Sequence, residues 1–120
     1  PAADLQVFGL EELLVELLGN LLDNALRHTP AGGTIQIDLA ELPGGDAGVA
    51  VVDGGPGIPP EYAQSIFERF VQIPGAKTGT TGLGLSLAAE IAHLHGGKLE
   101  LANPGQPGAR FECRLPRARP

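Results

Sequence analysis

Leucine recurs every three or four residues between positions 10 and 28, which is the spacing of one face of an amphipathic helix. Another side of that predicted helix carries Glu16, Asn20, Asn24 and Arg27, also three or four residues apart. Asn is a poor helix former, so two Asn residues one turn apart suggest that a polar ligand lies over them. A solvated face that happens to carry Asn is the alternative, and the helix alone leaves both interpretations open.

The rest of the pattern predicts short elements separated by loops rich in Gly and Pro. The predicted elements are a short strand or lead-in at 4–8, strands at 34–39 and 48–53, a short helix at 61–70, a mobile loop at 71–81, a helix at 83–95, and strands at 98–101 and 109–115. This order predicts an α+β two-layer sandwich, in which about three helices cover one face of a mixed, mostly antiparallel sheet.

The composition and net charge of the chain limit the kinds of molecule that it is expected to bind. The chain has 120 residues, the size of one domain, and a net charge of −6 that disfavours binding to nucleic acid or to anionic membranes. A single cysteine, Cys113, rules out an internal disulfide and fits a reducing compartment. Because the sequence starts at Pro1 and contains no Met, we expect one domain excised from a longer protein, with a frayed tail at 116–120.

An acid followed by glycines ends the second predicted strand, in the run Asp53-Gly54-Gly55-Pro56-Gly57. Glycine allows a backbone to approach a flat ligand closely, and a carboxylate at this point can accept a hydrogen bond from an exocyclic amine. A plain turn after a strand explains the run equally well when the run is taken alone.

A second glycine-rich run, residues 79–85, opens the helix predicted at 83–95, and a helix start of this kind favours phosphate. It is not a dinucleotide-binding motif, because Leu87 stands where that motif has Gly. It is not a P-loop either, because Ala76 replaces a required Gly. A helix start without any ligand is the alternative.

Phe67 and Phe70 fall on one face of the helix predicted at 61–70, where they would anchor the loop that follows. Arg69 lies beside them as a candidate phosphate contact. His93 and His95 point to different faces of a helix, so they do not form a metal pair.

In their order and spacing these motifs resemble the catalytic and ATP-binding domain of sensor histidine kinases, within the superfamily of gyrase, Hsp90 and the MutL proteins. The resemblance covers about residues 5–115. The corresponding stretches are 16–30 for the N box, 53–59 for the G1 box, 66–70 for the F box and 82–87 for the G2 box.

The resemblance implies a role for individual residues. Asn24 would hold Mg²⁺. Asn20 would lie beside the metal and the phosphates, and both Asn residues would be catalytic and contact the metal. Asp53 would bind the adenine amine. Residues 71–81 would form a lid over ATP. The other residues that it assigns to the nucleotide are Arg27, His28, Gly55, Gly57, Ile58, Phe67, Arg69, Phe70, Thr81, Gly82, Leu83, Gly84 and Leu85.

The implied function is transfer of the γ-phosphate of Mg-ATP to a histidine on a separate dimerisation domain of the same protein. The parent protein would be a homodimer. A response regulator would act downstream. The parent would be a membrane sensor with this domain in the cytoplasm, and the domain itself would contact neither membrane nor nucleic acid. None of the three histidines lies in the family's acceptor motif, so the fragment is expected to bind ATP without efficient autophosphorylation.

Three other functions remain open from the sequence. An ATP-driven clamp or hydrolase of the same superfamily would carry Glu at the position of Asn20, to activate water. A nucleotide-sensing module and an anti-sigma-type serine kinase are compatible with the same motifs. The chain departs from the family at Gly54, where Asn is common, and at Gln72, where Arg is common.

Overall fold

Two α-helices and a four-stranded sheet form the regular part of the computed structural model, which describes residues 11–69 and 84–116. In chain order the elements are α1 (Glu11–His28), β1 (Gln36–Glu41), β2 (Ala47–Val52), two short 3₁₀ helices (Pro60–Tyr62 and Ser65–Phe67), α2 (Gly84–Leu94), β3 (Lys98–Leu101) and β4 (Arg110–Leu115). The strand or lead-in predicted at 4–8, the loop predicted at 71–81 and residues 117–120 of the predicted tail lie outside the described residues.

The leucine pattern of α1 produces the helix that it predicts. Leu17, Leu21 and Ala25 are buried along one stripe, at intervals of four residues. The first turn is acidic and the last turn contains Arg27 and His28, so the charges at both ends complement the helix dipole. No helix in the described ranges has the length and apolar character needed to cross a membrane.

The sheet has the strand order β1-β2-β4-β3, and each described pair of neighbouring strands is antiparallel. The predicted hairpin is confirmed, although β1 starts two residues later than its alternating pattern indicates. Its connection uses Gly44 and Gly45, both with positive φ (91° and 93°), a conformation that glycine adopts without steric cost. β3 runs over 98–101 as predicted, and β4 begins one residue later than predicted.

The core lies between the helices and the side of the sheet that they cover. Its largest fully buried side chains are Phe111, Leu17, Leu21, Ile91, Val51 and Cys113. Cys113 is a core residue, and burial raises the pKa of its thiol to about 11. The thiol is therefore protonated and unreactive at neutral pH.

The prediction of one continuous helix over 61–70 is wrong. Pro59 and Pro60 open a 3₁₀ turn closed by the bond from the Ala63 amide to the Pro60 carbonyl, and a second such turn ends where Glu68 is extended. Because no α-helix spans this stretch, the helical spacing of Phe67 and Phe70 no longer places them on one face. Phe67 still anchors the segment, packing edge-to-face on Phe111 with ring centroids 6.0 Å apart.

Arg110 links the start of β4 to the edge strand β1, which lies beyond β2. Its guanidinium lies 2.9 Å from Asp38 on β1 and 2.7 Å from Glu112 on its own strand. Hydrogen bonds from Gln36 and then from Arg110 lower the pKa of Asp38. The two carboxylates in turn raise the pKa of Arg110, with Glu112 the stronger influence. This ionic cluster holds the side chain of Arg110, the first residue of β4.

Replacing Leu21 with Ala should destabilise the fold by about 2–5 kcal/mol, because the side chain is 1% exposed and its removal leaves a cavity in the core. Leu26→Ala is the matched control, since Leu26 lies on the same helix but is 65% exposed, and it should cost less than about 1 kcal/mol. Urea unfolding followed by far-ultraviolet circular dichroism measures both values. Equal losses would contradict the assignment of the buried face of α1.

Candidate functional site

The loop after β2 is held against the connection between β3 and β4 by backbone hydrogen bonds. The Asp53 amide donates to the Ala109 carbonyl at 3.0 Å, and the Gly108 amide donates to the Gly55 carbonyl at 2.9 Å. Further along, the Gly105 amide donates to the Ile58 carbonyl at 2.7 Å. Two segments that are distant in sequence thus form one paired unit from the end of β2 to Ile58.

Asp53 is the only charged or polar residue in the buried class within the described ranges, with 6% of its surface exposed. Its Oδ1 accepts hydrogen bonds from the amides of Gly55 (2.9 Å) and Ala109 (3.1 Å). Both bonds end on the same oxygen, so within the described ranges Oδ2 is left as an acceptor for a ligand. A carboxylate fixed in this way can select a group that donates a hydrogen bond, such as an exocyclic amine.

The glycines of this loop are required by close backbone contacts. Gly57 has φ +89°, and a Cβ at this position would lie 2.0 Å from the carbonyl oxygen of Gln106. A Cβ at Gly55 would lie 2.5 Å from the carbonyl oxygen of His28, at the end of α1. These contacts give both glycines a structural function, whatever ligand approaches the loop.

The end of α1 is joined to the same loop through Thr29, whose Oγ1 accepts a hydrogen bond from the Gly54 amide at 2.9 Å. A Cβ at Gly54 would lie 3.1 Å from both the Thr29 methyl group and the Thr34 carbonyl oxygen. The departure from Asn to Gly54 therefore fits the crowding at this position. The bond explains how α1 and the Asp53 loop hold one relative position.

Asn20 and Asn24 are half-buried on α1. The Nδ2 atom of Asn20 is buried and has no hydrogen-bond partner in the described part of the chain. A buried donor without a partner is costly, so this amide is suited to an acceptor such as a phosphate oxygen. The observation favours a polar ligand over a solvated face at Asn20.

The two basic residues at the end of α1 are already engaged within the protein. His28 Nδ1 lies 2.8 Å from the Asn24 carbonyl oxygen, which can only accept, so Nδ1 carries the proton and Nε2 is the acceptor of the neutral ring. Arg27 pairs with Asp23 at 2.9 Å, with the two side chains 40% and 61% exposed. An exposed ion pair of this kind contributes little to stability.

Other predicted site residues are placed as follows. Ile58 is buried beside the Asp53 loop, Arg69 is exposed, and Gly84 and Leu85 are half-buried at the start of α2. Among the described residues, no atom lies within 4 Å of a Cβ placed at Gly84. Phe70, Thr81, Gly82 and Leu83 lie outside the described residues, as does Gln72.

Within the ranges 11–69 and 84–116 there is no group of three or more His, Cys, Asp or Glu side chains that could hold a metal ion. The amide oxygens of Asn20 and Asn24 are the candidate protein ligands on α1. Mg²⁺ accepts such a set, because it prefers oxygen ligands and commonly binds phosphate and water.

Comparison with known proteins identifies the family. Residues 9–119 match the family model described as "Histidine kinase-, DNA gyrase B-, and HSP90-like ATPase". The chain belongs to this ATPase family.

Relatives and solved structures place this ATPase domain among sensor kinases. It is 48% identical over 109 residues to the alginate biosynthesis sensor protein KinB of Pseudomonas aeruginosa, covering 89% of this chain but 18% of KinB. The structure of the mycobacterial sensor histidine kinase MprB superposes with a TM-score of 0.84 and 33% identity, covering 95% of this chain and 78% of that one. The structure of full-length ShkA in complex with AMPPNP superposes with a TM-score of 0.77 and 31% identity, covering 90% of this chain and 22% of that one.

Sequence reasoning missed two residues that shape the site of this ATPase domain. Thr29 contacts the Asp53 loop from α1, and Asn103 bonds across the β3–β4 connection. Thr29 directly follows α1 within the N-box stretch, so its short polar side chain next to a helix end was an available sign. Asn103 precedes Pro104 and Gly105, where an Asn side chain often bonds to nearby backbone.

Gly57→Ala should destabilise the domain more than Gly44→Ala, by about 1–3 kcal/mol. Both positions have φ near +90°, so the strain of placing a side chain there is shared. Only at position 57 does the new Cβ meet a backbone oxygen, whereas no atom lies within 4 Å at position 44. Urea denaturation of both variants measures the difference, and indistinguishable midpoints would argue against the close contact between the loop and Gln106.

Proposed function

We propose that this chain is the ATP-binding catalytic domain of a protein-histidine kinase. The observation that carries the proposal is the buried carboxylate of Asp53, with one oxygen committed to backbone amides and the other left for a ligand. Family membership and the sensor-kinase relatives support it. The chain spans 18% of KinB, so activity of a complete kinase would need further domains.

In this proposal Asp53 Oδ2 accepts a hydrogen bond from the adenine amine, and buried Ile58 provides an apolar contact for the base. The donor of Asn20 faces the phosphates, together with the side chains of Arg27 and His28. Gly84 and Leu85 bring the start of α2 to the same anion, since its free amides and dipole favour negative charge. Phe67 anchors the segment that leads to a lid over 71–81.

Mg²⁺ would be held by the side-chain oxygen of Asn24, with Asn20 beside it, and by phosphate oxygens and water. The ion would neutralise charge on the transferring phosphoryl group. Without a cluster of acidic ligands in the described ranges, the protein binds the metal weakly unless a nucleotide is present. We therefore expect nucleotide and metal to bind together.

The side chain at position 20 favours transfer over hydrolysis. A carboxylate there would accept a proton from an attacking water, whereas the amide of Asn20 cannot. Phosphoryl transfer depends mainly on positioning and charge neutralisation, which amides and a metal can supply. We infer that the γ-phosphate passes to a histidine on a separate dimerisation domain of the parent, and onward to a response regulator. The parent would be a membrane sensor with this domain in the cytoplasm.

Asp53→Asn should bind Mg-ATP at least about tenfold more weakly than the wild type, as measured by isothermal titration calorimetry. The substitution keeps Oδ1 for the amides of Gly55 and Ala109 but places an NH₂ donor opposite the adenine amine, and loss of a charged hydrogen bond costs about 1.5–3 kcal/mol. Glu90→Ala, which removes an exposed carboxylate from α2, is the control and should bind like the wild type.

The same titrations separate the base contact from the phosphate contacts. Purine riboside 5′-triphosphate has hydrogen in place of the 6-amino group, so it should bind wild type and Asp53→Asn with similar affinity. Equal ATP binding by wild type and Asp53→Asn would reject the adenine assignment. Steady ATP hydrolysis by the chain alone, lost in Asn20→Ala, would point to a hydrolase instead of a kinase.

A further inference from the structure

Asn103 bridges the connection between β3 and β4 with its side chain. Its Nδ2 donates to the Gly108 carbonyl at 2.8 Å, and its Oδ1 accepts from the Arg110 amide at 2.8 Å. One partner can only accept and the other can only donate, so the orientation of the amide group is determined. The bridged residues lie immediately before and after Ala109.

Ala109 is the residue whose backbone holds Asp53. Its amide donates to Asp53 Oδ1 at 3.1 Å, and its carbonyl accepts from the Asp53 amide at 3.0 Å. Ala109 is itself buried and has no polar side chain through which another residue could adjust it. The position of its amide therefore depends on the backbone on either side, which is where Asn103 binds.

Gly108 completes the connection between Asn103 and the Asp53 loop. It has φ +74°, and its amide donates to the Gly55 carbonyl at 2.9 Å while its own carbonyl accepts from Asn103. On the other side, Arg110 pairs with Val52 in the sheet, and its carbonyl accepts from the Ala102 amide at 2.8 Å. Asn103 thus bonds to two residues whose backbone is also held by other hydrogen bonds.

We propose that Asn103 is a positioning residue for base selection, acting through Ala109 to aim Oδ2 of Asp53. The proposal rests on the assignment of Asp53 to the adenine amine. Loss of the bridge would let the Ala109 amide shift, and Asp53 would then meet the 6-amino group in a poorer geometry. The contacts to the triphosphate come from α1 and the start of α2, so they would be retained.

The test is the ratio of the dissociation constants for purine riboside 5′-triphosphate and ATP, each measured with Mg²⁺ on the 120-residue chain. The wild-type ratio should be about ten or more, the value expected for one hydrogen bond to a charged group. Asn103→Ala should reduce that ratio at least about threefold, mainly by weakening ATP. A merely destabilised protein would bind both nucleotides less well by the same factor, so its ratio would not change.

Two further variants complete the design. Gln106→Ala removes an exposed side chain from the same connection and should keep the wild-type ratio. Asn103→Asp keeps the acceptor for the Arg110 amide but sets an oxygen against the Gly108 carbonyl, so it should lower the ratio as Asn103→Ala does. This variant also provides the measurement if Asn103→Ala fails to fold.

The outcomes distinguish the two proposals. A wild-type ratio near one would overturn the adenine assignment of Asp53, and the function of Asn103 with it. A wild-type ratio of ten or more that persists in both Asn103 variants would overturn the positioning function alone. A ratio that falls in both Asn103 variants but not in Gln106→Ala is the result we expect.

Discussion

The site depends on the pair of hydrogen bonds between Asp53 and Ala109. They join the end of β2 to the start of β4 at a point where the sheet ladder gives way to loop. A buried carboxylate without partners would be strongly unfavourable, so these bonds make the location of Asp53 tolerable. The same bonds decide which oxygen is left for a ligand, and folding and recognition thus share one side chain.

Around this pair, crowding fixes the relative position of three segments. The loop after β2 passes so close to the end of α1 and to the β3–β4 connection that Gly55 and Gly57 cannot carry a Cβ. Thr29 adds a hydrogen bond from α1 to the same loop. The helix that carries Asn20 and the loop that carries Asp53 are therefore held together by backbone contacts, so their spacing does not depend on flexible side chains.

Those parts of the fold that depend on local sequence patterns could be predicted from the sequence. The leucine spacing predicts α1 because it reflects burial on one face. Alternation over 34–39 predicts β1 as a strand, but not its burial, since Ile37 and Leu39 are 53% and 56% exposed on this edge strand. The helix over 61–70 is wrong because Pro59 and Pro60 favour a 3₁₀ turn, and the stretch leaves helical backbone at Glu68. The partnership of Asp53 with Ala109 spans 56 residues, and no local pattern contains it.

The candidate site has two sides, the Asp53 loop and α1, and they hold their polar groups in different ways. On the Asp53 side the ligand-facing atom is set by backbone amides and tight glycine contacts, which suits discrimination between groups that differ by one donor. On the α1 side the candidates are side chains: the amide of Asn20, whose Nδ2 has no hydrogen-bond partner in the described part of the chain, and Arg27, which pairs with the exposed Asp23. Side chains can follow a phosphate whose position changes during transfer, while amides at the start of α2 would complement its charge from a fixed position. The rigid side would hold the base in one place while the adaptable side follows the phosphates.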